Sequence, residues 1–133
     1  MTFDQLPADL PVPEDDGAAD HLAGIHLPAI QLPATTGGTV DVADIGSPWA
    51  VIYVYPMTGR PDQELPAGWD MIPGARGCTP QTCAFQEHRE ELAALGAEVY
   101  GLSVQSPEYQ AEMVERLHVD FPVLSDVGRE LGR

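Results

Sequence analysis

Three short apolar runs, separated by two segments of helical character, constrain the fold of this chain more than any other feature. The runs occupy residues 50–55, 99–104 and 121–124. Apolar residues recur at helical spacing over 85–95, and Ser106 followed by Pro107 is typical of the start of a second helix. The order strand, helix, strand, helix, strand predicts an α/β domain with a parallel sheet, right-handed crossovers and 50–55 as its central strand.

Shorter signals flank this repeating unit. Residues 25–27, 30–32 and 40–42 resemble strands, and the turn sequence 36–39 between the last two predicts an N-terminal β-hairpin. Residues 1–20 are acidic and interrupted by prolines, which predicts a flexible arm before a domain spanning 21–133. Ser125 or Asp126 is expected to cap one further helix near the last residue of the chain.

Residues 57–77 form a long segment with neither helical nor strand periodicity. It contains three prolines and four glycines together with Trp69, Met71 and Ile72. Loops of this length inside compact domains are uncommon and are often functional. We expect the segment to pack down as a lid or wall beside the residues that follow it, with a surface insertion as the alternative.

Composition excludes several classes of function. The formal net charge of the 133-residue chain is -15, which disfavours nucleic acid and anionic membranes as partners. No apolar run approaches the length of a membrane span, and the acidic first twenty residues are unlike a signal peptide. The sequence therefore predicts a cytoplasmic protein, in which two cysteines are more often catalytic or redox-sensing than structural.

Both cysteines follow the long segment that separates the first apolar run from the first predicted helix. Cys78 and Cys83 are separated by four residues at the expected start of that helix. The partial positive charge of a helix N-terminus lowers the pKa of a thiol and so favours the reactive thiolate. This position predicts redox chemistry at a thiol.

Taken together, these motifs resemble the peroxiredoxins of the AhpC/TSA-type thioredoxin-like superfamily. The resemblance is to the class known as bacterioferritin comigratory protein or peroxiredoxin Q, and it extends over about residues 22–126. The matching motifs are the Gly37-Gly38 turn, Tyr55-Pro56, Gly77-Cys78-Thr79, Cys83, Ala84-Phe85, and the segments 101–103 and 121–126.

The resemblance implies a thioredoxin-like fold and the reduction of hydrogen peroxide or organic hydroperoxides. By position, Cys78 is the peroxidatic cysteine, Cys83 is the resolving cysteine, and Pro56 shields the thiol from water. A Cys78–Cys83 disulfide requires the first helical turn to unwind, because residues five apart lie on different helix faces. A thioredoxin-like dithiol is the implied reductant. No metal or organic cofactor is implied, and the chain is expected to be a monomer or a homodimer.

The sequence departs from the family pattern in two places. Cys78 follows Pro56 by 22 positions rather than seven, and Ala75 stands at the position of the motif threonine. Thr58 and Thr79 are the candidates for that role, and the remaining alternative is that no residue takes it. The family's C-terminal strands and their catalytic arginine are expected to be missing, which would leave a sheet edge open. Arg76 or Arg60 is the expected substitute for that arginine.

Other interpretations of the cysteines stay open. Cys83 can be an apolar helix residue, which would make the protein a one-cysteine peroxidase or a thiol sensor. A degenerate thioredoxin-fold module that binds or senses without turnover is the alternative outside the enzymes. A metal site formed with His88 is disfavoured, because His88 does not share a helix face with Cys83.

Overall fold

The computed structural model describes residues 8–9 and 11–133. The predicted acidic arm at 1–20 therefore falls partly outside the described residues. Within its described part, the carbonyl oxygen of Pro11 accepts a hydrogen bond of 3.4 Å from the backbone N–H of Gly74. Pro11 thus lies against the 57–77 segment.

The N-terminal hairpin is present. Strand β1 (Gln31–Pro33) pairs antiparallel with β2 (Thr39–Asp41). Gly37 and Gly38 both have positive φ angles in the turn, a conformation that glycine adopts without steric cost. The strand-like residues 25–27 belong to no strand and are exposed, so that part of the prediction is wrong.

A parallel sheet of three strands forms the centre of the described structure. Its strands are β3 (Trp49–Val54), β4 (Ala97–Ser103) and β5 (Val123–Ser125), in the spatial order β3-β4-β5 with both pairs parallel. The expected central position of the first run is wrong, because β4 pairs on both sides and β3 pairs only with β4 among the described strands. Trp49 and Val54 of β3 are accordingly exposed, at 70% and 68%.

Three α-helices, besides a 3-10 turn at Trp69–Met71, connect these strands in the described part of the chain. They are α1 (Cys78–Glu87), α2 (Arg89–Ala94) and α3 (Pro107–Leu117). The predicted single helix, expected to start at the cysteines and to end at about Leu95, is divided at His88, whose φ of -96° and ψ of 7° are not helical. The predicted cap of α3 is confirmed, since the Ser106 side chain accepts a hydrogen bond from the backbone N–H of Tyr109.

The predicted helix after residue 125 does not form. The Asp126 carboxylate instead accepts hydrogen bonds from the backbone N–H groups of Glu130 and Leu131, at 2.7 and 3.1 Å. Arg129 has a φ of 53°, which is left-handed and incompatible with a continuing right-handed helix. The segment is therefore a carboxylate-stabilised turn.

The two faces of the parallel sheet are covered by different elements. One face packs against the helices, with the cluster Tyr53, Tyr55, Cys78, Val99, Met113, Val119, Phe121 and Val123. The other face packs against the hairpin, with the cluster Leu32, Val42, Tyr100, Leu102 and Leu124. Alternate residues of β4 enter opposite clusters, as the two-residue period of a strand requires. The candidate thiol thus lies inside the core on the helical face.

Candidate active site

Cys78 is the first residue of α1 and is 5% exposed. The backbone N–H group of Met57, just beyond the carboxyl end of β3, donates to its sulfur. Burial nevertheless raises the pKa of the Cys78 thiol, against the opposing effect of Met57 and of the cysteine's own N–H. The expected net lowering of this pKa is therefore wrong, because loss of hydration outweighs the donors at the helix start.

A small cavity adjoins the sulfur. It has a volume of about 10 Å³, which is room for roughly one water-sized group. Both ends of the 57–77 segment contribute to it, through Met57 and Gly59 at one end and Ala75 and Arg76 at the other. The segment therefore loops out and returns, so that residues far apart in sequence meet at Cys78.

The two predicted residues at the start of the loop have different surroundings. Pro56 is exposed and does not line this cavity in the described structure. Thr58 is 1% exposed, and its hydroxyl lies 3.3 Å from Oε1 of Gln105. Its carbonyl accepts a 2.9 Å hydrogen bond from the Tyr109 hydroxyl. Thr79, the alternative threonine, is buried and lines the cavity together with Cys78.

Arg76 also lines the cavity at Cys78, but its guanidinium is already paired. Nε and Nη2 donate to the two carboxylate oxygens of Asp70 at 2.6 and 2.8 Å. This pairing lowers the pKa of Asp70 and raises that of Arg76. Arg60, the other predicted candidate, pairs with Asp62 at 2.9 Å and is not among the residues that line this cavity.

Cys83 lies on the same helix as Cys78 and is half-buried, and both residues are thiols. Five residues of regular helix separate two Cα atoms by about 9 Å, beyond the roughly 7 Å limit for a disulfide. The turn between them is anchored to the sheet. The Tyr53 hydroxyl donates to Thr82 Oγ1 at 3.0 Å, and Thr82 Oγ1 donates to the Cys78 carbonyl at 2.9 Å.

The two tyrosines are site residues that the sequence reasoning left without a role. Tyr53 lies close enough to both cysteines for their charges to contribute to its raised pKa, although burial is the main cause. Burial likewise raises the pKa of Tyr55 to about 12. The alternation Tyr-x-Tyr in a strand was a usable signal, because it places both rings on the face that carries Cys78.

The fold and the site together define a thioredoxin-like α/β protein with a thiol at the start of the helix that follows a parallel strand. Comparison with known proteins makes the class specific. Residues 69–133 match the AhpC/TSA family. Peroxiredoxin Bcp of Escherichia coli K12 is 29% identical over 104 residues, covering 78% of this chain. Chloroplastic peroxiredoxin Q of Populus jackii is 28% identical over 104 residues, again covering 78%.

Solved structures agree with the sequence comparison. Peroxiredoxin Q of Xanthomonas campestris aligns with a TM-score of 0.64 and 27% identity, covering 84% of this chain and 63% of that one. Peroxidoxin BcpB of Mycobacterium tuberculosis aligns with a TM-score of 0.66 and 24% identity, covering 82% and 62%, and shares the fold. The predicted thioredoxin-like fold is confirmed.

The predicted resemblance is confirmed as well: residues 69–133 match the AhpC/TSA family, and the chain is similar to the Bcp and Q peroxiredoxins. It spans 57% of the length of the E. coli relative and 42% of the poplar relative. None of the helices in the described part of the chain is long and apolar enough to cross a membrane.

Proposed function

We propose that this protein is a thiol peroxidase that reduces hydrogen peroxide and organic hydroperoxides through Cys78. The observation that carries the proposal is the position of this thiol. It lies at the start of α1, accepts a hydrogen bond from the backbone N–H group of Met57, and adjoins a cavity with room for one small group. Relatedness to the peroxiredoxins supports the same chemistry.

The first step is displacement at oxygen. The Cys78 thiolate forms an S–O bond to the terminal oxygen of the hydroperoxide while the O–O bond breaks. The other oxygen leaves with the organic group or hydrogen and takes up a proton as alcohol or water. The sulfur has been oxidised to sulfenic acid and the hydroperoxide reduced by two electrons.

The second step restores a stable sulfur species. The Cys83 sulfur bonds to the Cys78 sulfur, the S–O bond breaks, and the oxygen leaves as water. This step needs local unwinding of α1, because the helical geometry holds the two Cα atoms too far apart. A thioredoxin-like dithiol then returns both cysteines to thiols by exchange.

Several residues are proposed to assist the first step. Arg76 is the proposed cation beside the reacting oxygen atoms, since it lines the cavity at Cys78 and stays charged at all relevant pH values. Thr79 and Thr58 are the candidate hydroxyl groups, of which Thr79 lines the cavity. Pro56 is proposed to shape the approach to the thiol from the end of β3.

Intact-mass spectrometry of the reduced protein after one equivalent of hydrogen peroxide tests the proposal. The wild type should lose about 2 Da as a disulfide forms, and Cys83→Ser should gain about 16 Da as a sulfenic acid. Cys78→Ser should be unchanged. Peroxide consumption by Cys78→Ser would contradict the assignment of Cys78, and an intermolecular disulfide in the wild type would contradict that of Cys83.

A second candidate function is a redox-sensing module without peroxidase turnover. Burial raises the pKa of Cys78, and Asp70 neutralises the nearest cavity-lining guanidinium, both of which slow the reaction of the thiol. A single slow oxidation without reductant-dependent turnover would favour this function. We further propose a cytoplasmic location and a monomeric or homodimeric state. We propose no nucleic acid or membrane partner, because the net charge of -15 disfavours both.

A further inference from the structure

The 57–77 loop forms a second, much larger cavity that is open to solvent. Its volume is about 570 Å³, within the range of small-molecule binding sites. Its walls come entirely from this loop and Arg76 at its end, and the apolar part is formed by Pro61, Leu65, Pro66 and Trp69. The sequence reasoning expected a lid or wall here but no cavity.

The large cavity adjoins the small one at the thiol. Leu65, Trp69 and Arg76 line both. The small cavity at Cys78 has a volume of only about 10 Å³, so it has room for roughly one water-sized group such as the terminal oxygen of a hydroperoxide. The rest of any bulky hydroperoxide must therefore lie beyond these three shared side chains.

Hydrogen bonds at both ends of the loop hold it in shape. The indole N–H of Trp69 donates to the Ala75 carbonyl at 3.0 Å, and Arg76 is joined to Asp70 by two hydrogen bonds. At the other end, Arg116 donates to the Gly59 carbonyl at 3.0 Å. The cavity is thus built by specific contacts at both ends of the loop.

Charge restricts what the cavity accepts. Three carboxylates, those of Asp62, Glu64 and Asp70, line it with the single guanidinium of Arg76. That guanidinium is already neutralised by Asp70. Asp62 is likewise paired with Arg60, so the carboxylate of Glu64 is left without an ion-pair partner among the described residues, and an anionic ligand would meet its negative charge. An uncharged apolar group would instead contact the proline, leucine and tryptophan side chains.

We propose that this cavity is a subsite for the organic group of bulky, uncharged hydroperoxides. Their peroxide end then reaches Cys78 past the side chains of Leu65, Trp69 and Arg76, which line both cavities. The inference rests on the proposed peroxidase function and adds the specificity that this loop supplies. Alkyl and aryl hydroperoxides without a charged group are the expected class, and carboxylated hydroperoxides are disfavoured.

A binding measurement tests the subsite without relying on turnover. The protein has two tryptophans, so Trp49→Phe leaves Trp69 as the reporter in the cavity wall. Titration with cumyl alcohol, the reduction product of cumene hydroperoxide, should change Trp69 emission saturably. The ring-carboxylated alcohol should bind more weakly. Absence of a saturable change, or equal binding of the two alcohols, would overturn the proposal.

Kinetics with a filled cavity provide the second test. Gln63 lines the large cavity but not the one at Cys78, so Gln63→Phe should obstruct only the organic group. Its kcat/KM for cumene hydroperoxide should fall at least about fivefold, with the value for hydrogen peroxide within about twofold of wild type. Ala67→Phe, at an exposed position of the same loop that lines neither cavity, is the matched control and should leave both values within about twofold.

The outcomes separate the two proposals. Turnover of both peroxides with no selective effect of Gln63→Phe would overturn the subsite and leave the peroxidase intact. If Gln63→Phe lowers both activities through misfolding, Glu64→Phe at the same rim repeats the test, and an unselective loss in that folded variant overturns the subsite. Saturable binding of cumyl alcohol without turnover of either peroxide would overturn the peroxidase function and leave the binding site.

Discussion

Replacing Tyr53 by phenylalanine should loosen the helical turn that separates the two cysteines. The Tyr53 hydroxyl donates to Thr82 Oγ1 at 3.0 Å, and Thr82 in turn donates to the Cys78 carbonyl at 2.9 Å. Unwinding of this turn breaks the contact, whereas the phenylalanine ring can keep the stacking on Phe85 at 4.6 Å between centroids. The substitution thus removes one buried hydrogen bond and little packing.

The magnitude follows from the value of such a bond. A buried hydrogen bond contributes about 1 kcal/mol to the free energy of unfolding. Its loss should lower global stability by that amount and raise the unwound population of α1 by about fivefold. If unwinding precedes disulfide formation in the proposed cycle, the rate of Cys78–Cys83 disulfide formation should rise by the same factor of about five.

The assay is a single turnover with one equivalent of hydrogen peroxide, followed by acid quench, alkylation of thiols and intact-mass analysis. Tyr55→Phe is the matched control, because the Tyr55 ring is similarly buried but its hydroxyl makes no hydrogen bond to the described residues of the turn between the cysteines. It should leave the rate within about twofold of wild type. A wild-type rate in Tyr53→Phe, despite reduced stability, would refute the idea that this anchor opposes unwinding.

Three further predictions concern the thiol, its neighbouring ion pair and the packing beneath Tyr53. Because burial raises the pKa of Cys78, its oxidation rate should increase with pH through neutrality, and a rate already flat at neutral pH would contradict this. The free energy of unfolding should fall as the pH rises above the ordinary pKa of a cysteine, because Cys78 then ionises in the unfolded chain while the folded protein still holds its proton. Asp70→Asn should expose the charge of Arg76 to the thiol and move this pH–rate profile to lower pH, and an unmoved profile would exclude that influence. Gly101→Ala should lower the free energy of unfolding by about 1–3 kcal/mol, measured by thermal unfolding, because the added Cβ would lie 2.8 Å from the Tyr53 hydroxyl oxygen. The same substitution should cost less in the Tyr53→Phe background, which lacks that oxygen.

Sequence patterns predicted most of the fold where the signal was local. The apolar run of β4 and the Ser106-Pro107 start of α3 were both interpreted correctly, because cap and strand preferences act within a few residues. The break at His88 was missed, since apolar spacing continues across it. The turn after Asp126 was missed because the same carboxylate that can cap a helix also stabilises a turn.

The candidate site was predictable in its residue types but not in its electrostatics. The positions of both cysteines on one helix followed from the motif. The balance between burial and backbone donors at Cys78 did not, because it depends on how deeply the core encloses the sulfur. Likewise, the sequence suggested Arg76 as a cation near the thiol, and only the structure showed its pairing with Asp70.

The sequence by itself determined the order of strands and helices, the location of the thiols at a helix start and the resemblance to peroxiredoxins. These are properties of short segments, in which hydrophobic period, capping residues and cysteine spacing can be read directly. Only the tertiary structure decided that the two ends of the 57–77 loop meet at Cys78 and that the loop forms an open cavity beside it. The physical reason is that these features depend on contacts between residues distant along the chain, whose formation is set by packing rather than by local conformational preference.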